Sequence, residues 1–164
     1  MKQFLTYGLL AVMLVLAGCP VQTKNSIDNG SYSVPAWMYG TWRKSGSSSK
    51  TSYLLEKDER KGYLKRYSVD STGKVGKEAQ PVVMSTIGDK IFLSVFTPAD
   101  DMDQQGYYLY EFRKVGNKEF MLVPLKEKSI DYNATSEEIK RYIQERLNST
   151  ELYDLGDMET YVKQ

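Results

Sequence analysis

The chain has 164 residues, with 22 Lys and Arg against 21 Asp and Glu, one cysteine and no histidine. The balanced charge, spread without blocks of one sign, argues against nucleic acid as a partner. With no imidazole and a single thiol, at Cys19, the chain has no Ser-His triad and no usual zinc or haem ligand set. No catalytic residue, metal site or cofactor is expected.

The chain starts Met1-Lys2-Gln3 and runs into a mostly apolar stretch from Phe4 to Leu16. That stretch is shorter than the ~20 residues a spanning helix needs. It suits the apolar region of a secretory signal peptide. It ends in Leu16-Ala17-Gly18-Cys19, which resembles the lipobox of bacterial lipoproteins. The resemblance implies cleavage between Gly18 and Cys19, loss of residues 1–18, and palmitate-type acyl chains on the Cys19 thiol. Acylation also removes the lone thiol that an oxidising compartment would otherwise expose. Each buried methylene contributes about 0.8 kcal/mol, so two or three chains keep a protein on its membrane. Pro20 follows the cysteine where an inner-membrane retention signal has Asp. The expected location is therefore the cell envelope, on the outer membrane facing the periplasm if the host is Gram-negative.

Residues 19–34 are polar and rich in Asn, Ser and Gly. They are predicted to form a lipidated flexible tether spanning roughly 20 Å by random-coil scaling. Residues 35–164 form the domain, and the chain beyond the signal is long enough to bury about two-thirds of its unfolded surface. Pro35-Ala36-Trp37-Met38-Tyr39 reads as a helical turn with Pro at its permitted first position. Alternating residues then predict strands near Gly40–Lys44, Ser52–Lys57, Gly62–Val69, Pro81–Ile87, Lys90–Thr97, Tyr107–Val115 and Glu119–Pro124. Gly88-Asp89 and Gly116-Asn117 are short enough for tight hairpins. Consecutive strands with such turns predict a mainly β fold: an antiparallel up-and-down meander that curls into a barrel or half-barrel to hide its edges.

The last quarter changes period. Thr135-Ser136-Glu137-Glu138 forms a capping-box string, and Ile139, Tyr142, Ile143 and Leu147 follow on one helical face. This predicts a C-terminal helix over about 135–147, packed on the sheet. The tail from Leu152 to Val162 is expected to dock as well, as a short second helix.

The run Trp37-Met38-Tyr39-Gly40-Thr41-Trp42 feeds a Gly-x-Trp strand from a helical turn. This resembles the opening of lipocalins and fatty-acid-binding proteins, which are antiparallel calycin-type barrels. The resemblance implies that Gly40 bends the chain into the first strand and that Trp42 plugs the closed end. It also implies a late-strand arginine stacked on the Trp, with Arg113 the candidate.

Both faces of the strands near Lys90–Thr97 and Tyr107–Val115 carry apolar residues. Ile91, Leu93 and Val95 oppose Phe92, Ser94 and Phe96; Tyr108, Tyr110 and Phe112 oppose Leu109, Glu111 and Arg113. Phe92, Phe96, Tyr108, Tyr110 and Phe112 are the candidate lining of a cavity for a small apolar ligand or lipid. The alternative is a barrel filled by its own side chains, serving an envelope assembly as an accessory protein-interaction lipoprotein. Two Ser-x-x-Lys strings, Ser47–Lys50 and Ser71–Lys74, lie in turns without companion motifs. The acidic run Asp100-Asp101-Met102-Asp103 lacks the spacing of a calcium loop and reads as a solvated turn.

Overall fold

Every strand foreseen from alternation is present in the computed structural model, which describes residues 20–46, 52–98, 105–126 and 130–164. The signal segment, the Gly18–Cys19 cleavage and lipidation site, the Ser47–Lys50 string and the Asp100–Asp103 run lie outside the described residues. The strands are β1 (Gln22–Thr23), β2 (Gly40–Lys44), β3 (Ser52–Lys57), β4 (Tyr63–Val69), β5 (Gln80–Ile87) and β6 (Lys90–Thr97). After them come β7 (Gly106–Lys114), β8 (Glu119–Pro124) and β9 (Glu159–Lys163). Helix α1 spans Ser136–Glu145, between β8 and β9.

Strands β2 to β9 follow one another around a closed antiparallel ring, a lipocalin-like barrel. Closure comes from β9, which pairs with β8 on one side and with β2 on the other, Trp42 opposite Lys163 and Lys44 opposite Tyr161. The tail expected as a second helix is therefore corrected to a single 3-10 turn at Thr150–Leu152 followed by the closing strand. Glu159-Thr160-Tyr161-Val162-Lys163 alternates, and both neighbouring edges need a partner. Leaving them bare would expose two rows of unpaired amides and carbonyls.

A second correction concerns residues 20–34. They are packed, so no flexible tether separates Pro20 from the barrel. Val21, Thr23 and Ile27 are buried. β1 pairs with β7 at Gln22–Tyr108 and Thr23–Tyr107, the part of the β7 edge that β8 leaves uncovered after Tyr110–Pro124. The segment then crosses the outer wall, where the Ile27 amide donates to Ser94 Oγ at 3.1 Å and the Ser85 hydroxyl donates to Asp28 at 2.6 Å. β4 and β5 pair only as far as Tyr63–Val83. Beyond that, the Tyr32 amide donates to the Met84 carbonyl at 3.2 Å and the Thr86 amide to Ser31 Oγ at 2.8 Å. The crossing is close: a Cβ on Gly30 would sit 2.5 Å from the Lys61 carbonyl oxygen, so only glycine fits.

Two cores result. Inside the barrel lie Met38, Trp42, Leu55, Leu64, Val82, Met84, Leu93, Val95, Phe112, Phe120, Leu122 and Tyr161. Between the outer wall and the covering elements lie Val21, Ile27, Ile87, Phe92, Leu109, Val123, Leu125, Ile139, Ile143, Leu152 and others. α1 contributes Ile139 and Ile143 to the second core and starts from the foreseen capping box. Glu138 N–H donates to Thr135 Oγ1 at 3.3 Å, and Thr135 N–H donates to Glu138 Oε2 at 2.8 Å.

Candidate functional site: the barrel interior and its closed end

The closed end is built around Trp42, which is fully buried on β2. The 3-10 turn Ala36–Met38 folds beneath the barrel, and its Met38 carbonyl accepts the Trp42 indole N–H at 2.7 Å. Gly40, at φ +122°, makes the bend between turn and strand. A side chain there would be strained in that backbone conformation and its Cβ would lie 3.1 Å from Lys163 Cε.

The cation over the tryptophan is a different residue. Arg113 is on the outer face, where its Nε donates to Glu111 Oε1 at 2.7 Å. Lys163 of β9 lies over the Trp42 ring, Nζ 5.6 Å from its centroid, and donates to the Trp37 carbonyl at 2.9 Å. The candidate Arg113 is therefore corrected to Lys163. The reason is register: Trp42 faces β9 across the closing seam, whereas Arg113 is of outward parity on β7.

Above the plug the interior is tiled by aromatic rings. Trp42 and Phe120 have centroids 4.7 Å apart, Phe120 and Phe112 5.3 Å, and Phe120 stacks on Tyr161 at 5.1 Å. Trp37 meets Trp42 edge-on at 6.0 Å. The space left among the described residues is a cavity of about 40 Å³, lined by Trp42, Tyr53, Leu55, Arg66, Val95 and Tyr161 among others. That is room for a few water molecules, far below the roughly 300–1,000 Å³ of small-molecule sites.

A polar rim surrounds this space toward the other end. Lys44 Nζ pairs with Glu159 Oε1 at 2.7 Å, and the Tyr161 hydroxyl donates to Glu159 Oε2 at 2.7 Å. Arg66 donates from Nε to Gln80 Oε1 at 3.0 Å and lies over the Tyr53 ring at 4.9 Å. Burial, reinforced by the Glu159 charge, pushes the Tyr161 and Tyr110 phenols far above their ordinary range. Both are held as neutral hydroxyls.

Of the expected cavity lining, Tyr110 and Phe112 belong to the interior core, and Tyr108 shares their face of β7. Phe92 is corrected to the outer core, where it is fully buried. Phe96 is likewise on the outer side, edge-on to Tyr107 at 5.5 Å. The residues missed were Tyr53, Arg66, Tyr161 and Lys163, which alternation places on their strands' inner faces once closure is known.

One charged cluster lies outside the barrel. Glu111 is 5% exposed and receives Arg113 together with Lys90 Nζ at 3.5 Å. Burial alone would raise its pKa, but the bonds from Arg113 and Tyr153 and the two positive charges hold it below the usual carboxylate range. Lys90 also donates to the Leu147 carbonyl at 2.8 Å and to the Tyr153 hydroxyl at 3.1 Å, tying the chain after α1 to the wall. The second Ser-x-x-Lys string forms a turn organised by Asp70, which accepts from the amides of Thr72 at 2.8 Å and Lys74 at 3.0 Å. Among the described residues no group of three or more His, Cys, Asp or Glu is placed to hold a metal ion. No described helix is long and apolar enough to cross a membrane.

No protein-family model matches this chain, and neither a curated protein nor a solved structure matches it.

Proposed function

We propose that this chain is a lipid-anchored envelope protein, held by acyl groups on Cys19, whose barrel serves as a non-catalytic interaction module. The observation that carries the reading is the filled interior: Trp42, Phe112, Phe120 and Tyr161, in mutual contact, and their neighbours leave about 40 Å³ among the described residues. A carrier of acyl chains needs several times that volume. The tyrosines favour a surface role. Tyr63, Tyr67, Tyr107, Tyr132 and Tyr142 are half-buried on outer positions, where a ring with a polar tip suits a surface that is part dry and part wet. The missing histidine and the acylated thiol support a module that holds rather than reacts.

The test joins labelling to crosslinking. Palmitate label is expected on the wild-type protein and is lost in Cys19→Ser. In-membrane crosslinking is expected to return an envelope protein, and native mass spectrometry the acylated chain alone. A retained small molecule at one equivalent would overturn the reading.

A second reading has one observation in its favour. The remaining space is walled almost wholly by apolar groups, Leu55, Leu64, Val82, Leu93, Val95 and Leu122, beneath Arg66. On that reading the domain binds a small apolar ligand, and the same mass spectrum separates the two.

A further inference from the structure

The ring of strands is dressed on one side and bare on the other. The N-terminal segment, α1 and the chain around Leu152 cover outward residues of β5 to β8, such as Ile87, Phe92, Leu109 and Val123. β9, β2, β3 and β4 contribute no residue to that outer core. Their outward side chains include Val162 and Arg43, which are exposed, and Leu54 and Tyr67, which are half-buried.

Register brings outward residues into one row across this bare wall. The Val115 amide, at the end of β7, donates to the Glu119 carbonyl at 3.2 Å. Glu119 lies opposite Val162, Val162 opposite Arg43, and Arg43 opposite Ser52. Val115 and Val162 are both exposed. Glu56 and Lys65, the other outward charges of the wall, stand opposite each other on β3 and β4. Arg43 and Glu119 have no such counterpart, and among the described residues neither enters an ion pair.

The order negative, apolar, positive is its own complement when reversed. A two-fold axis through Val162, normal to the wall, sets Arg43 of one copy against Glu119 of the other, twice. The two Val162 side chains meet between these pairs, and Val115 of each copy lies over the small Ser52 of the other. We propose that this wall pairs two copies of the chain in this way. The charges fix the direction, because the unreversed arrangement would put Arg43 on Arg43 and Glu119 on Glu119. The wall of a barrel is convex, so contact is confined to a few strands and the pair belongs to the transient size class. Pairing goes beyond the interaction-module reading and does not depend on the anchor.

The test takes the full-length protein in mild detergent through sedimentation velocity at rising concentration. Wild type is expected to move from monomer to dimer. Arg43→Glu and Glu119→Arg should each associate roughly tenfold more weakly, because two attractive pairs become like-charged. The double variant Arg43→Glu/Glu119→Arg should recover wild-type association, as should an equimolar mixture of the two single variants. Val162→Cys should give a disulfide between copies that peptide mapping assigns to position 162 on both. A wild type that stays monomeric, a dimer indifferent to both single changes, or a double variant that fails to recover overturns the pairing. So does capture of a different protein at position 162 in cells, which assigns the wall to that partner. The interaction-module reading is judged by its own crosslinking result, so the two fail separately.

Discussion

On one side of β6 and β7 lie Leu93, Val95, Tyr110 and Phe112; on the other lie Phe92, Ser94, Leu109 and Glu111. The inner set packs chiefly against rings and aliphatic chains, with the Arg66 and Glu159 groups at its rim. The outer set includes buried polar groups, and Thr23 and Ser85 join it from β1 and β5. The inner core is mostly non-directional packing, pinned at its two ends by the Trp42–Met38 and Tyr161–Glu159 bonds. The outer core is keyed: Ser94 to the Ile27 amide, Ser85 to Asp28, Glu111 to Arg113 and Lys90. Keying is needed where a strandless segment must be seated on a wall in a single register. An apolar surface alone would let it slide.

Loss of the closing seam is the most damaging change to both cores. A chain truncated before Glu159 loses Tyr161 and Lys163 and leaves β2 and β8 without their partner. It is expected to show no cooperative thermal transition by near-ultraviolet circular dichroism. Trp42→Ala removes the centre of the inner core and should cost about 3–5 kcal/mol in urea unfolding. A loss under 1 kcal/mol would mean that the plug is not central. Ser94→Ala probes the outer core, where leaving the Ile27 amide unpaired should cost about 1–3 kcal/mol. Faster hydrogen exchange at Ile27 is the diagnostic readout, and unchanged exchange would mean that Ser94 does not hold this segment. Thr135→Ala, at the α1 cap, should cost about 1 kcal/mol and fray the first turn without touching the barrel.

The smallest effect is one of pH. Asp58, in the β3–β4 turn, is held at about 2 by hydrogen bonds from Arg60, against an ordinary 3.8. A carboxylate depressed on folding stabilises fully above its unfolded value, and the contribution fades as pH falls through the folded one. The urea midpoint should therefore drop between pH 3.8 and about 2, and Asp58→Asn should flatten part of that limb. Arg60 is largely exposed, so solvent screening keeps the effect modest.

The strands from β2 to β8 and the α1 cap were legible because their signals are local: alternation, Gly88-Asp89, Thr135 with Glu138. Three features were not, for distinct reasons. β9 follows Leu152, Tyr153, Leu155 and Met158, whose spacing imitates a helical face, and its strand character is settled by two edges far away in the chain. Val21 and Ile27 are single apolar residues in a polar run, which no periodicity can distinguish from a tether. Phe92 and Phe96 sit on a strand apolar on both sides. Alternation separates those two faces correctly but does not say which is inside. The closed-end motif was half legible for the same cause: Gly40 and Trp42 are neighbours in sequence, whereas Lys163 reaches Trp42 only through closure.

The seam between β2 and β9 joins the first strand of the ring to its last, far apart in sequence. A ribosome delivers Gly40–Lys44 long before Glu159–Lys163, so until β9 has emerged the sheet has two raw edges, on β2 and β8. Closing so large a loop is the slow kind of contact formation, and an open edge is the species that chaperones must guard. The barrel closes only once β9 has reached both β2 and β8.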